Sequence, residues 1–243
     1  VFGLAAQAYA KAYGDPSVAM AKIAEKNHRN ALLNPLAHMR REVTFEFCNE
    51  VSEKNPLIAP PLRLTDCSLI TDGAAAIVLT ADDNAGSFRR SARFRSAEHV
   101  SDFLPMSRHD LLEFEGPRLA ISRALAAAGV TIGDISFAEV HDCFTIAELL
   151  SYEALGIAPK GRGIEALDSG AVYRGGTLPV NLSGGLKAKG HPVGATGVSM
   201  HALAYRQLTG AAGEMQLDGA SLGLVFNMGG SAVANYVSIL EAV

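Results

Sequence analysis

The strongest constraint on this chain lies in its second half, where apolar runs switch repeatedly between helical and strand spacing. Pro117 suits the first turn of a helix. Leu119–Ala128 follows, and Gly129 is a natural stop. Ile135–Val140 reads as a strand. Thr145 and Glu148 have the spacing of a capping box. The helix they would open carries the stripe Ile146, Leu149 and Leu150 and ends by Gly156. A glycine-rich loop, Ser183–Gly197, leads into another helix through Val198, Ala202, Tyr205 and Leu208. Two strand-like runs, Ser221–Phe226 and Ala232–Leu240, close the chain, with Asn227-Met228-Gly229-Gly230 as the hairpin between them. This alternation predicts an α/β layered fold.

The first half is more broken. Val1–Tyr13 is alanine-rich and stops at Gly14-Asp15-Pro16; Val18–Asn30 reads as a helix that ends at Asn34-Pro35. After Ala59-Pro60-Pro61, Leu62, Leu64 and Asp66 open a segment that runs to Asp72-Gly73. Ala74–Thr80 has the length of a buried strand or short helix. Arg89, Arg90, Arg93 and Arg95 cluster at a plausible junction, as a solvated strand or turn or as a contact for a phosphate. Across 243 residues, 49% hydrophobic and 19% charged composition excludes a disordered chain. A net charge of −4 argues against a nucleic-acid partner. Cys48, Cys67 and Cys143 make no disulfide framework or zinc cluster, which points to a reducing compartment. No apolar run reaches the roughly 18 residues of a membrane span. A soluble, cytoplasmic protein is expected, with the peroxisome as the alternative.

Three places could carry chemistry. His141-Asp142-Cys143-Phe144 falls between a strand and a helix, where the helix dipole would favour a Cys143 thiolate. The bland alternative is a buried small hydrophobe beside a structural histidine. The loop Gly184-Gly185…Gly190-His191-Pro192 lets backbone approach a ligand and holds one histidine on a stiff stem; its alternative is a structural turn or a nucleotide loop. The glycines at Asn227-Met228-Gly229-Gly230 could present N–H groups to an oxyanion or simply make the turn.

Together these segments resemble the thiolase superfamily. His141-Asp142-Cys143-Phe144 is similar to the His-Asp-Cys-Phe motif of sterol-carrier-protein-type thiolases. Ser183-Gly184-Gly185…Lys189-Gly190-His191-Pro192-Val193-Gly194-Ala195-Thr196-Gly197 resembles the family's Gly-His-Pro signature. Asp66-Cys67-Ser68…Thr71-Asp72-Gly73-Ala74-Ala75-Ala76 resembles the segment that ends the family's N-terminal half. The resemblance implies a five-layered αβαβα fold. Residues 1–91 would end the N-terminal half with its covering loops, and residues 92–243 would form the complete C-terminal domain.

The resemblance also implies an acyl-CoA C-acyltransferase of lipid or fatty acid metabolism. It would cleave 3-ketoacyl-CoA with CoA or condense acyl-CoA, with coenzyme A thioesters as substrates and no metal or other cofactor. His191 would be the catalytic histidine, His141 would help build one oxyanion hole, and Gly229 would lend its N–H to a second. Many thiolases carry an acid/base cysteine in Cys-x-Gly where this chain has Asn227-Met228-Gly229, so Cys143 inherits that role. Ser68, Ser183 and Gly184 would contact the substrate. The nucleophilic cysteine is expected upstream of this chain, because neither Cys48 nor Cys67 has its context. A homodimer or homotetramer is expected. A thiolase-fold aldolase acting on β-hydroxyacyl-CoA with an OB-fold partner, and a non-catalytic acyl-CoA or lipid binder, are the competing readings.

Overall fold

A computed structural model describes residues 1–104 and 110–243. Two helices, α1 (Phe2–Tyr13) and α2 (Ser17–Leu32), match the first two patterns. A short α3 (Phe45–Asn49) follows, in which Thr44 Oγ1 caps by accepting the Phe47 N–H at 3.2 Å. The strands β1 (Leu57–Ala59) and β2 (Leu62–Arg63) form a small antiparallel ribbon. Then come β3 (Ala92–Ser101), α4 (Glu115–Ala128), β4 (Phe137–Val140), α5 (Thr145–Ala154), α6 (Ile164–Asp168), α7 (Thr196–Leu208), β5 (Leu222–Gly229) and β6 (Ala234–Ala242).

The main sheet has the order β3-β6-β5-β4, with β4 parallel to β5 and the other pairs antiparallel. Val180 extends it by a single parallel bridge to Ala138. Period-2 alternation along β5 separates two faces. Phe226 turns toward α4, where its ring meets Phe114 at 6.3 Å and 88°. The opposite face, which carries Asn227, turns toward α7: a Cβ on Gly197 would stand 3.0 Å from Asn227 Nδ2. On β6, Ser238 Oγ lies 3.0 Å from His201 Nε2 of α7. Helices therefore cover both faces of a mixed sheet, and the fold is α/β as the alternation predicts. All four residues of β4 are buried, as expected of a strand covered on both sides.

A buried polar cluster joins α2 to α5. Lys26 Nζ lies 2.8 Å from Glu148 Oε1 and donates to the Val180 carbonyl at 2.7 Å. Tyr152 donates to Glu148 Oε1 at 2.6 Å, and Asn181 donates to Oε2 at 2.9 Å. A buried ion pair is tolerable only when its remaining atoms are satisfied in this way; removing one partner costs about 3–5 kcal/mol.

Three sequence expectations are corrected here. Thr145 and Glu148 do not form a capping box: α5 has Phe144 as its N-cap and no side-chain cap. Thr145 Oγ1 instead donates to Asp66 Oδ1 at 2.9 Å, and Glu148 is spent on Lys26, because both side chains are buried beside stronger long-range partners. Ala74–Thr80 is neither strand nor helix and is largely exposed, with Val78 89% and Leu79 70% accessible. An apolar run becomes a buried strand only where a neighbour satisfies its backbone, and no described strand pairs with this one. The last hairpin turns at Gly230–Val233, so Asn227, Met228 and Gly229 belong to β5 itself.

Candidate active site

The residues His141 to Phe144 occupy the corner where β4 hands over to α5. His141 and Cys143 are buried, and Asp142 is fully enclosed. Asp142 is the anchor. Its carboxylate accepts the Leu186 N–H at 2.6 Å, the Lys187 N–H at 3.1 Å and the Asn27 side-chain amide at 2.8 Å. Asn27 also donates to Glu148 at 2.6 Å, so α2, α5 and the glycine-rich loop meet at one point. Burial and the neighbouring Glu148 push the Asp142 carboxyl up to about 7. The loop must come very close to make these bonds. Gly185 has φ +60°, and a Cβ there would stand 2.2 Å from Asp142 Oδ2. Only glycine fits both demands.

The rest of the loop is a tight π-type turn over Gly185–Lys189, followed by Gly190-His191-Pro192. Lys189 and Ala188 offer their carbonyls to the N–H groups of His38 and Met39, both at 3.0 Å. Thr71 Oγ1 accepts the His191 N–H at 2.9 Å. The half-buried His191 ring is oriented by Thr196, whose Oγ1 lies 2.7 Å from Nδ1 and donates to the Pro192 carbonyl at 3.0 Å. With its only proton given to Pro192, Thr196 accepts from Nδ1–H, which leaves Nε2 of His191 with a lone pair.

The corner and the loop bring the two histidines together. The rings of His141 and His191 lie 5.1 Å apart, centre to centre, at 88°. Burial lowers both basicities, His141 to about 4. The buried ammonium of Lys189 pushes each in the same direction. Both imidazoles are neutral at neutral pH and available for proton transfer. Cys143 departs from its expected thiolate character. Burial pushes its thiol up to about 12, with the Asp142 carboxylate adding to the shift, while the N–H groups at the helix start pull only weakly the other way. Desolvation outweighs the dipole, so Cys143 is a protonated thiol.

The other expected site residues are spread around this pair. Gly229 ends β5 on the same face as Asn227, two residues on, and is exposed. Ser68 is half-buried, its N–H donating to the Cys143 carbonyl at 2.9 Å. Ser183 is buried, and its hydroxyl and N–H both donate to Glu139, at 2.5 and 3.0 Å. Gly184 has φ +94° and packs on α2, where a Cβ would stand 2.6 Å from the Ala31 Cβ. Ser183 and Gly184 thus fix the loop to the body of the protein.

A family model described as thiolase C-terminal domain-like matches residues 97–242. The chain belongs to the thiolase superfamily. It is 38% identical over 243 residues to the acetyl-CoA acetyltransferase of Methanothermobacter thermautotrophicus, covering 99% of this chain and 62% of that protein. It is 34% identical to sterol carrier protein 2 of Homo sapiens, covering 96% of this chain and 43% of that one. The thiolase chain thus spans between 43% and 62% of these relatives' lengths. Two solved structures share its fold. One is described as Ltp2-ChsH2(DUF35) aldolase, with TM-score 0.87, 24% identity, and coverage of 99% of this chain and 62% of that one. The other is a monomeric SCP2-thiolase-like protein of Mycobacterium smegmatis, with TM-score 0.72, 20% identity, and coverage of 99% and 50%.

Four residues given no role from the sequence contribute to this site: Asn27 and Thr71 act from other segments, and Lys189 and Thr196 from the loop that carries His191, on His141, Asp142 or His191. Only Thr196 carried a local signal, being five residues after His191 at the start of a helix. Among the described residues no helix is long and apolar enough to cross a membrane, and no cluster of histidine, cysteine and carboxylate side chains could hold a metal ion.

Proposed function

We propose that this chain carries the proton-handling part of a thiolase active site, acting on coenzyme A thioesters to cleave or form a C–C bond. The observation that carries the reading is the convergence of two neutral imidazoles, His141 and His191, at the corner that also carries the buried, protonated thiol of Cys143 two residues after His141. In the cleavage direction a cysteine thiolate, its proton taken by His191, adds to the 3-keto carbon of a 3-ketoacyl-CoA. The C2–C3 bond breaks and its electron pair stays on C2 as the enolate of the departing thioester. Cys143 gives that carbon its proton and regains one from the incoming CoA thiol. The CoA thiolate then displaces the acyl group from the nucleophile. Negative charge on the thioester oxygen needs preorganised donors; this reading assigns that oxygen to His191 and His141 and the Gly229 N–H to the second oxyanion hole.

No cysteine within residues 1–243 is prepared as the nucleophile. Burial pushes Cys48 up to about 11 and Cys143 to about 12, and raises Cys67 as well. The reading therefore takes the acyl-accepting cysteine from a segment outside these residues, with the body dividing at residues 91 and 92. The test combines intact mass with thiolysis of acetoacetyl-CoA and of a longer 3-ketoacyl-CoA. At 25.5 kDa the chain alone is expected to be inactive, and a cysteine-bearing upstream segment is expected to restore CoA-dependent cleavage. Turnover by residues 1–243 alone overturns the assignment of the nucleophile. No CoA-dependent cleavage in either state overturns the thiolase reading.

A second reading is favoured by one observation, the match of 99% of the chain to the aldolase structure at TM-score 0.87. An aldolase would split a β-hydroxyacyl-CoA by a retro-aldol step, with an OB-fold partner and no nucleophilic cysteine. Cleavage of such a substrate without free CoA decides for it.

A further inference from the structure

We propose that Asn27 is a positioning residue of this site: standing between Asp142 and Glu148, it keeps the Asp142 carboxylate bonded to the loop that carries His191. The orientation of its carboxamide is fixed from both ends. Lys26 Nζ lies 2.7 Å from Asn27 Oδ1, and an ammonium can only donate. Nδ2 therefore faces the two acids, giving one hydrogen to Asp142 Oδ2 at 2.8 Å and the other to Glu148 Oε2 at 2.6 Å. The flipped amide would set NH₂ against the ammonium and oxygen against both carboxyl groups. Asn27, Asp142 and Glu148 are all fully buried.

The two acids are held differently. Glu148 has the Lys26 ammonium at 2.8 Å and also accepts from Tyr152 and Asn181. Lys26 has no proton left for Asp142, since its three go to Asn27, Glu148 and the Val180 carbonyl. Among the described residues, Asp142 accepts only neutral N–H groups, those of Leu186, Lys187 and Asn27. Asn27 is the one side chain in that set, and it reaches the acid from α2. Bonds to an ionised acceptor are the stronger ones, so a proton on Asp142 would loosen its hold on Leu186 and Lys187. The charged and titratable groups around this acid are Cys143, Glu148 and Tyr152 from the corner and α5, Lys26 from α2, and Lys187 and Lys189 from the loop. Burial and Glu148 favour the protonated acid; Asn27 opposes them by donating to the ionised form. The consequence for catalysis rests on the thiolase reading; the hold on the loop does not.

The test is a pH titration of the Leu186 and Lys187 amide protons by NMR on the full chain, without substrate, in wild type and N27A. In wild type both are expected to shift in one step near pH 7. In N27A a donor to the charged form is lost, and the step is expected about one to two pH units higher. Thiolysis by the completed enzyme should follow it, with N27A about five- to fifty-fold below wild type at pH 7 and within about twofold at pH 9. Lost packing alone would leave that ratio the same at both pH values. If N27A does not fold, N27S, which keeps one hydroxyl donor, carries the same test with a smaller shift. An unmoved amide titration overturns the proposal, and so does a rate ratio independent of pH. The shifted titration without CoA-dependent cleavage in the completed enzyme would leave the role of Asn27 standing and remove only the thiolase reading.

Discussion

The corner that carries His141 and the loop that carries His191 bring identical side chains together by different means. The corner takes its position from the sheet. β4 is buried along its length and paired with β5, so the residue after its last one has little freedom. The loop has no ladder of its own. Gly184, Gly185 and Gly190 adopt left-handed backbone, and the turn is held by bonds from Asp142, from His38 and Met39, and from Thr71. His141 is placed by regular structure, whereas His191 is placed by contacts with distant segments. The more exposed of the two is therefore the more dependent on tertiary structure, and mutations should separate them on that axis.

The largest effect is expected at the loop's reacting group. In an enzyme completed with its nucleophile, His191→Ala should lower thiolysis about 10³-fold or more, the scale of a general base working with a nucleophile. Steady-state rates with acetoacetyl-CoA check this, and a loss under tenfold would shift the base role to His141. The next effect is on the clamp between the two regions. Gly185→Ala forces a Cβ to 2.2 Å from the Asp142 carboxylate and strains a φ of +60°. Urea unfolding should show a loss of about 2–4 kcal/mol. Gly194→Ala, in the same loop with open space around it, should stay within about 0.5 kcal/mol. Equal losses at the two glycines would mean that the loop tightens as a whole and not at Asp142.

The same division explains what could be read from the sequence. The second-half elements were legible because each is bounded by a local signal, such as Gly129 at φ +67° after α4. The motif histidines were legible as a resemblance, and the fold brings them within 5.1 Å. What failed depended on partners far along the chain. Glu148 has capping-box spacing, yet Lys26, 122 residues earlier, decides its fate. Ala74–Thr80 has strand composition, but strand formation belongs to the pairing and not to the run. The Cys143 ionisation went the opposite way because a helix start is visible in sequence while the depth of burial is not.

Cys143→Ala comes next in size and tests the corner's chemistry against the loop's. Exchange at the α-carbon of acetyl-CoA should fall about 10²-fold, while acylation of the nucleophile remains detectable by mass. Exchange at the wild-type rate would refute the proton-donor role and leave the loop histidine to supply it.

The smallest expected effect is a pH dependence of stability, and it concerns the corner alone. His141 has a folded-state value of about 4, against 6.5 unperturbed. Below about 6.5 the unfolded chain takes up a proton that the folded chain refuses, so the stability present above that pH is lost as pH falls toward 4. At pH 5 the gap between ambient pH and the unfolded value is about 1.5 units, or about 2 kcal/mol for this buried ring. Other buried histidines, such as His28 at about 4, add their own losses, so the comparison has to be a difference of differences. Urea unfolding at pH 7 and pH 5 should therefore show the wild type losing about 2 kcal/mol more than His141→Gln between the two pH values. Equal losses in the two proteins would mean that the folded corner can charge its histidine after all, and the contrast between a sheet-held and a loop-held imidazole would reduce to one of position.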